Sequence, residues 1–346
     1  AQSWTTKKKN NQSFSVLGTD AQAASVPLWF AAIQRGETSM ITTVCMNPSF
    51  DKTASVEKLV EGGLNRLRNV RVDVGGKGIN VAVVLKRLGV PVNCVGCVGE
   101  KDEGAFLHMI AKEEVPFLHY TLPGDVRTNL KLVDEETKTV TEFNEPGLSM
   151  NAEQFQTFLE LLCGACGESE YVVFSGRLPT GCDKNAYQRC MQAIPGKKCV
   201  LDCAGEALLH GVKERPFLIK PNLPEIEAIM KSELRTLRSI RDAALFMIEY
   251  GAQNVVISMG KYGAVFVNRD ITLFSPALTV DARSTVGAGD AMIGGILAGL
   301  SQGAALADAF RFGVAAGAAS VMTDGTQMLY KPDFEALLPK VTVQEV

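Results

Sequence analysis

Long apolar runs, basic blocks and histidines are scarce in this chain, and each scarcity removes a class of protein. No stretch of 18 apolar residues occurs, so no membrane-spanning helix is expected. Thirty-five Lys and Arg stand against 38 Asp and Glu, a formal charge of -3 with no extended basic block. That balance argues against nucleic acid and for small-molecule partners. The three histidines, His108, His119 and His210, form no HExxH-type pair. Two loop signatures are also missing. The Gly-x-x-x-x-Gly-Lys-Ser/Thr spacing is absent at Lys77 and again at Gly260-Lys261, which disfavours a P-loop enzyme. Gly-x-Gly-x-x-Gly is absent after the first strand, where Met46-Asn-Pro-Ser-Phe-Asp51 stands instead, so a dinucleotide-dependent oxidoreductase is a poor reading.

Nine cysteines, an odd number scattered over 346 residues, fit reduced thiols in a cytoplasmic protein better than a disulfide framework. Cys94 and Cys97 lie in an alternating run, where residues three apart face opposite sides of a sheet and do not share a metal. Cys163 and Cys166 have no histidine nearby, so packing is the simpler explanation. Residues 1–39 are Ser/Thr-rich, carry Lys7-Lys8-Lys9 and a short apolar patch around Pro27–Ile33, and end in no cleavage signal. A poorly ordered extension, upstream or expression-derived, is expected there, with Met40 as the natural start.

What is present is an apolar fraction of 46%, enough for a large core. From Met40 the pattern alternates strand and helix. Strands are predicted at Ile41–Met46, Val92–Val98, Tyr171–Ser175, Cys199–Asp202, Phe217–Ile219, Asn254–Ser258 and Leu278–Val280. Helices are predicted at Ile79–Leu88, Gly104–Lys112, Ala152–Cys163, Lys184–Ala193, Pro224–Met230, Leu237–Tyr250 and from Ala288 onward. Such alternation implies an α/β protein, a mostly parallel sheet flanked by helices on both faces, with ligands beyond the strands' carboxyl ends. Two stretches break the rhythm, at about 52–74 and 126–144. They read as antiparallel strands without crossover helices and are expected to form a small β-sheet lid.

Glycine- or charge-bearing segments fall at the predicted strand ends. Asn47–Asp51 brings a carboxylate able to accept hydroxyls, although a turn explains it equally. Val74–Asn80 (VGGKGIN) offers close backbone approach, a cation at Lys77 and a donor-acceptor at Asn80. Arg127 opens one lid hairpin, with Lys131 four residues on; an Arg fork suits a phosphate, and a solvated surface charge is the plainer alternative. Asn222 and Glu225 in KPNLPE can serve a hydrated magnesium or simply start a helix. Ser258–Ala264 (SMGKYGA) suits a hairpin loop. Ser284–Asp290 (STVGAGD) places two glycines and a carboxylate at a helix entrance, where free amides attract anions. Asp290 is there either a cap or a general base beside an anion hole.

Taken in order, NPSFDKT, GGLNRLRNVRVDVGGKGINVA, RTNLKL, SGRLPTG, KPNLPE, SMGKYGA and STVGAGD resemble the PfkB family of carbohydrate kinases, of ribokinase-like fold. The likeness runs from Ile41 to about Leu338. It is strongest to the branch acting on ketohexose monophosphates, the 1-phosphofructokinases and tagatose-6-phosphate kinases, with fructose 1-phosphate the favoured acceptor and 6-phosphofructokinase a further alternative. The resemblance implies that Asp290 is the general base and that Gly287, Ala288 and Gly289 lend the anion-hole amides. It implies that Asp51, Gly76 and Asn80 hold the sugar, and Lys77 and Arg127 its phosphate. Lys220, Ser258, Gly260 and Gly263 would line ATP, with Asn222 and Glu225 organising Mg2+. The resemblance also allows a monovalent-cation site near Asp281–Ser284, closure of the adenine side by Ala315–Ser320 and Asp324–Thr326, and a homodimer through the lid sheet. Arg177 departs from the small residue usual in its motif and is expected either to add a phosphate contact or to crowd the sugar. A non-catalytic binding homologue is the rival reading, against which the retained Asp290, Asn222 and Glu225 count.

Overall fold

The computed structural model describes residues 39–346, so the expectation for the N-terminal extension lies outside the described residues. Fourteen strands are present among them: β1 Met40–Cys45, β2 Ser49–Val56, β3 Arg68–Gly75, β4 Val92–Gly99, β5 Phe117–Leu122, β6 Arg127–Asp134, β7 Val140–Asn144, β8 Ser169–Ser175, β9 Lys198–Asp202, β10 Leu218–Ile219, β11 Asn254–Ser258, β12 Ala264–Val267, β13 Thr272–Ser275 and β14 Gln344–Glu345. Ten of them form one sheet in the order β14-β13-β12-β11-β10-β9-β8-β1-β4-β5. The seven from β11 to β5 are parallel, and β12 to β14 extend the edge antiparallel.

Both faces of this sheet are covered. One apolar cluster packs helices Lys77–Arg87, Ala288–Ser301 and Leu306–Ser320 against it, and another packs Ala152–Ala165, Ala186–Ala193 and Leu237–Tyr250 on the other face. The strands accordingly read as near-continuous apolar runs: every residue of β1 and β4 is buried. Ala288–Ser301 is buried almost all round, and its small residues let neighbouring helices close in. A Cβ at Gly299, for instance, would sit 2.9 Å from Ala309 Cα.

The remaining strands make a separate sheet, β3-β2-β6-β7, in which β3 pairs with β2 and β7 with β6 antiparallel while β2 and β6 run parallel. This is the expected lid. Its register puts Asp73, Asp51 and Asn129 in one row and Arg71, Thr53, Lys131 and Glu142 in the next, all on one face. The opposite face carries Val70, Val72 and Phe143, which are exposed.

Two sequence expectations differ from the structure. Leu278–Val280 is not a strand; the element before the helix is β13, and Pro276, which has no N–H to donate, ends it. β5 was not foreseen, because an edge strand reading Phe-Leu-His-Tyr-Thr-Leu mixes polar and apolar side chains without a clean period.

No helix among the described residues is long and apolar enough to cross a membrane. All the cysteines among them are free, and most are buried.

Candidate active site

In the large sheet β1 lies between β8 and β4, so the chain leaves it in opposite directions on its two sides. A crevice opens at such a point beyond the carboxyl ends of the strands. Here it is a cavity of about 180 Å³ whose lining includes Asn47 after β1, Lys77 at the start of its helix, Arg127 and Asn129 on β6, and Ser175 and Arg177 at the end of β8. Three cations and no carboxylate line it. Arg127 is buried, donates from Nε to Pro48 O at 3.4 Å, and has its pKa lowered, first by burial and also by the nearby charge of Arg177. Asn47 holds the rim together, donating from Nδ2 to Pro146 O at 3.0 Å and accepting at Oδ1 from Leu148 N at 3.3 Å.

At the other end of the cleft the chain enters helix Ala288–Ser301 through Gly287, whose φ of 78° lies in the left-handed region that favours glycine. No side chain caps this helix, so its first amides remain available. Asp290 sits in the first turn, buried, and accepts a hydrogen bond at Oδ2 from Asn80 Nδ2 at 2.8 Å. Burial pushes its carboxyl up to about 6, against the opposing pull of Lys77, Asn80 and Lys220. A buried carboxylate poised near neutrality beside free helix amides has the properties of a general base. Gly289 leaves room for a cation at the same entrance, since a Cβ there would lie 2.8 Å from Lys220 Nζ.

A buried carboxylate at the cleft also escaped sequence reasoning. Asp202, the last residue of β9, is 1% exposed and stands between two lysines: Lys77 Nζ is 3.3 Å from Oδ2, and Lys220 Nζ is 3.3 Å from Oδ1. Ser175 Oγ also donates to Oδ2, at 3.2 Å. Burial alone would raise the Asp202 pKa, but Lys220 and Lys77 together bring it below the usual carboxylate value. Asp202 in turn is the main cause of the raised pKa of Lys77. The only sequence signal was a carboxylate at the carboxyl end of a predicted parallel strand.

Asp51 on the lid is buried and accepts at Oδ1 from Ser49 Oγ at 2.8 Å and from Asn129 Nδ2 at 2.9 Å. Gly75 permits this placement, because a Cβ there would sit 2.5 Å from Asp51 Oδ2. Gly76, at φ 120°, caps the helix that begins with Lys77 and carries Asn80, which links the sugar-side motif to Asp290. Lys220 and Ser258 stand at the carboxyl ends of β10 and β11, and an isolated bridge joins Asn222 to Ser258. Gly260, at φ 57°, starts an exposed 3-10 turn; Gly263, at φ 100°, ends it, packed where a Cβ would lie 2.8 Å from Ala277 N. Asn222 and Glu225 form a capping box: Asn222 Oδ1 accepts from Glu225 N, and Glu225 Oε2 accepts from Asn222 N, each at 2.9 Å. That cap leaves Glu225 Oε1 for other work. Gly325 lies against the lid, where a Cβ would come within 3.3 Å of Thr53 Oγ1 and 3.4 Å of Asp73 Oδ2.

A larger open depression of about 670 Å³ lies at the amino-terminal side of β11, lined by Lys213, Arg215, Asn268 and Arg269 among others. None of the motif residues lines it, so the chemistry belongs to the smaller cavity.

Residues 45–332 match the family described as pfkB family carbohydrate kinase. The chain belongs to the pfkB family of carbohydrate kinases. A 1-phosphofructokinase of Bacillus subtilis (strain 168) is 33% identical over 308 residues, covering 88% of this chain and 99% of that protein. Two crystal structures of phosphofructokinase-2 from Escherichia coli, one in complex with fructose-6-phosphate and one with potassium, superpose with TM-scores of 0.79 and 0.81. Each is 28% identical and covers 88% of this chain and 99% of its own. Asn47, Ser175, Asp202, Lys220 and Ser258 stand at the carboxyl ends of parallel strands, and Asp51, Asn129 and Lys131 share one face of the small sheet.

Proposed function

We propose that the protein transfers the γ-phosphoryl group of ATP to a hydroxyl of a ketohexose monophosphate, with fructose 1-phosphate the preferred acceptor and fructose 1,6-bisphosphate the product. The observation that carries this reading is the pairing of a raised, buried carboxyl at Asp290 with a cavity whose charged lining residues, Lys77, Arg127 and Arg177, are all cations. A cavity so charged suits an acceptor that already bears a phosphate. The relatives named 1-phosphofructokinase favour fructose 1-phosphate. Tagatose 6-phosphate and fructose 6-phosphate are the alternatives, the second favoured by the likeness to the phosphofructokinase-2 complex.

In this mechanism the acceptor's phosphate rests among Lys77, Arg127 and Arg177, and its hydroxyls meet Asp51, Gly76 and Asn80. The reacting hydroxyl gives its proton to Asp290 as its oxygen attacks the γ-phosphorus in line. Asn80 holds Oδ2 of Asp290, so the proton arrives at Oδ1. The amides of Gly287, Ala288 and Gly289 take the charge that develops on the transferred group, with Lys220 beside them. Ser258, Gly260 and Gly263 line the nucleotide. Among the described residues no group of three or more His, Cys, Asp or Glu side chains could hold an ion unaided. The all-oxygen donors, Asn222 and Glu225 Oε1, nevertheless fit a hydrated Mg2+ carried on nucleotide phosphates. That ion supplies charge neutralisation at the phosphates. A monovalent cation near Asp281–Ser284 and a homodimer through the exposed apolar lid face belong to the same reading; potassium titration of activity and light scattering test them.

The test is a coupled ADP-release assay with ATP and magnesium, offering fructose 1-phosphate, tagatose 6-phosphate, fructose 6-phosphate and unphosphorylated sugars, with Asp290→Ala as control. Turnover favouring fructose 1-phosphate supports the assignment, and preference for another sugar phosphate moves it. Nucleotide binding with only control rates for every sugar would replace the kinase reading by a binding protein.

A further inference from the structure

Three polar atoms on the cleft-facing side of the lid have no hydrogen-bond partner among the described residues although they are buried: Thr53 Oγ1, Asn129 Oδ1 and Lys131 Nζ. Thr53 and Lys131 are directly paired across β2 and β6, and Asn129 lies two residues before Lys131 on the same face. Lys131 is 7% exposed and forms no ion pair within 4.0 Å among the described residues, although Asp51, Glu142, Asp290 and Asp73 all lie close enough to influence its charge. A buried ammonium without a partner is among the costliest features a fold can carry. Three such groups side by side on one face of the small sheet offer a ligand a ready set of hydrogen-bond partners.

The chemistry of the three atoms restricts what that is. Lys131 Nζ only donates, Asn129 Oδ1 only accepts, and Thr53 Oγ1 does both. A phosphate dianion satisfies the lysine but has no proton for Asn129. A hydroxyl-bearing carbon chain satisfies all three. Resting on the proposed kinase reading, we propose that Thr53, Asn129 and Lys131 form a lid subsite that reads hydroxyls of the acceptor sugar, adjoining through Asn129 the Lys77–Arg127–Arg177 cavity that takes its phosphate. The Gly325 turn, against Thr53, closes the end of this subsite. Asn129 joins the subsite to Asp51, to which its amide donates. Lys131 is thus a substrate-binding residue whose burial the acceptor's hydroxyls offset.

Lys131→Met keeps length and removes the charge, and Thr53→Val keeps shape and removes the hydroxyl. Steady-state kinetics of both, with the preferred sugar phosphate and its singly deoxygenated analogues, test the subsite. Each variant should raise the acceptor KM about tenfold or more with the ATP KM unchanged within about twofold. Each should also stop discriminating against the one deoxy analogue whose missing hydroxyl it contacts, while still rejecting the others. Thermal unfolding of Lys131→Met without ligands should rise by about 2 °C or more, since an unpaired buried charge is gone. An unchanged acceptor KM, or equal penalties for every analogue before and after substitution, overturns the subsite while leaving the kinase reading intact. A fall in the melting temperature of Lys131→Met makes the lysine a structural element and overturns it as well. If the unsubstituted protein phosphorylates no sugar monophosphate, both readings fall together.

Discussion

Replacing Asp290 by Asn removes a charge and keeps the shape, so its effects on rate and on stability can be read apart. The carboxyl stands at about 6 rather than 3.8, chiefly through burial. That displacement costs on the order of 3 kcal/mol of folding free energy when the group is ionised. Because the folded-state pKa lies above the unfolded one, the cost is full above about pH 6, and it fades as pH falls toward the unfolded value. Asp290→Asn should therefore melt several degrees above the parent at about pH 8, with the gap closing near pH 4. Turnover should fall about 100-fold or more at every pH above 6, because the base is gone. The kcat/KM profile of the parent should show an acid limb centred near pH 6. Substrate phosphates also titrate near pH 6, and the variant separates the two sources. A limb belonging to substrate persists in the residual activity of Asp290→Asn, whereas the part due to Asp290 disappears. Unchanged turnover, or an identical acid limb in both proteins, would refute the assignment of Asp290 as base, and a variant less stable at pH 8 would refute the account of its burial.

Asp202→Asn leaves Lys77 and Lys220 without their shared counter-charge. Denaturant unfolding should show a loss of about 3 kcal/mol or more, and KM should rise for both ATP and acceptor. Gly75→Ala pushes a methyl into the Asp51 carboxylate and should raise the acceptor KM by about tenfold, with the ATP KM the control that must stay put. Arg177→Ala removes the most exposed cation of the acceptor cavity and should weaken a phosphorylated acceptor while leaving any slow turnover of the free sugar untouched. Equal effects on both would place Arg177 outside the phosphate subsite.

Much of the architecture was legible because each motif is turn chemistry at a strand end. Gly287 and Gly76 announce themselves as glycines where the chain needs positive φ, and Asn222 with Glu225 reads as a helix start, which is how both are used in the unliganded protein. The lid hairpins were legible from their polar alternation, but the parallel pairing of β2 with β6 was not, since nothing local specifies it. Asp202 and Lys131 were illegible as site residues for a related reason. Asp202 meets Lys77 from 125 residues away, and a single charge in a strand has no spacing to give it away. Arg177 could be recognised as unusual, yet only the fold places it at the mouth of the cavity.

On the proposed reading, Asp202 also explains how two phosphate sites would share one cleft. Lys77 lines the acceptor cavity, and Lys220 reaches the helix entrance at Gly289. Left to themselves, two ammonium groups so close would repel, and each would follow whichever phosphate arrived first. One carboxylate takes Lys77 on Oδ2 and Lys220 on Oδ1, and Ser175 fixes the first of these oxygens. The cations are thereby positioned before either ligand binds, which is the condition under which charge stabilisation costs no reorganisation during transfer. Asp290, within the reach of both lysines, retains a raised pKa because burial outweighs their attraction. Had Asp202 been absent, the uncompensated lysines would pull the Asp290 carboxyl down, and the base would lose the near-neutral poise on which the proposed transfer depends.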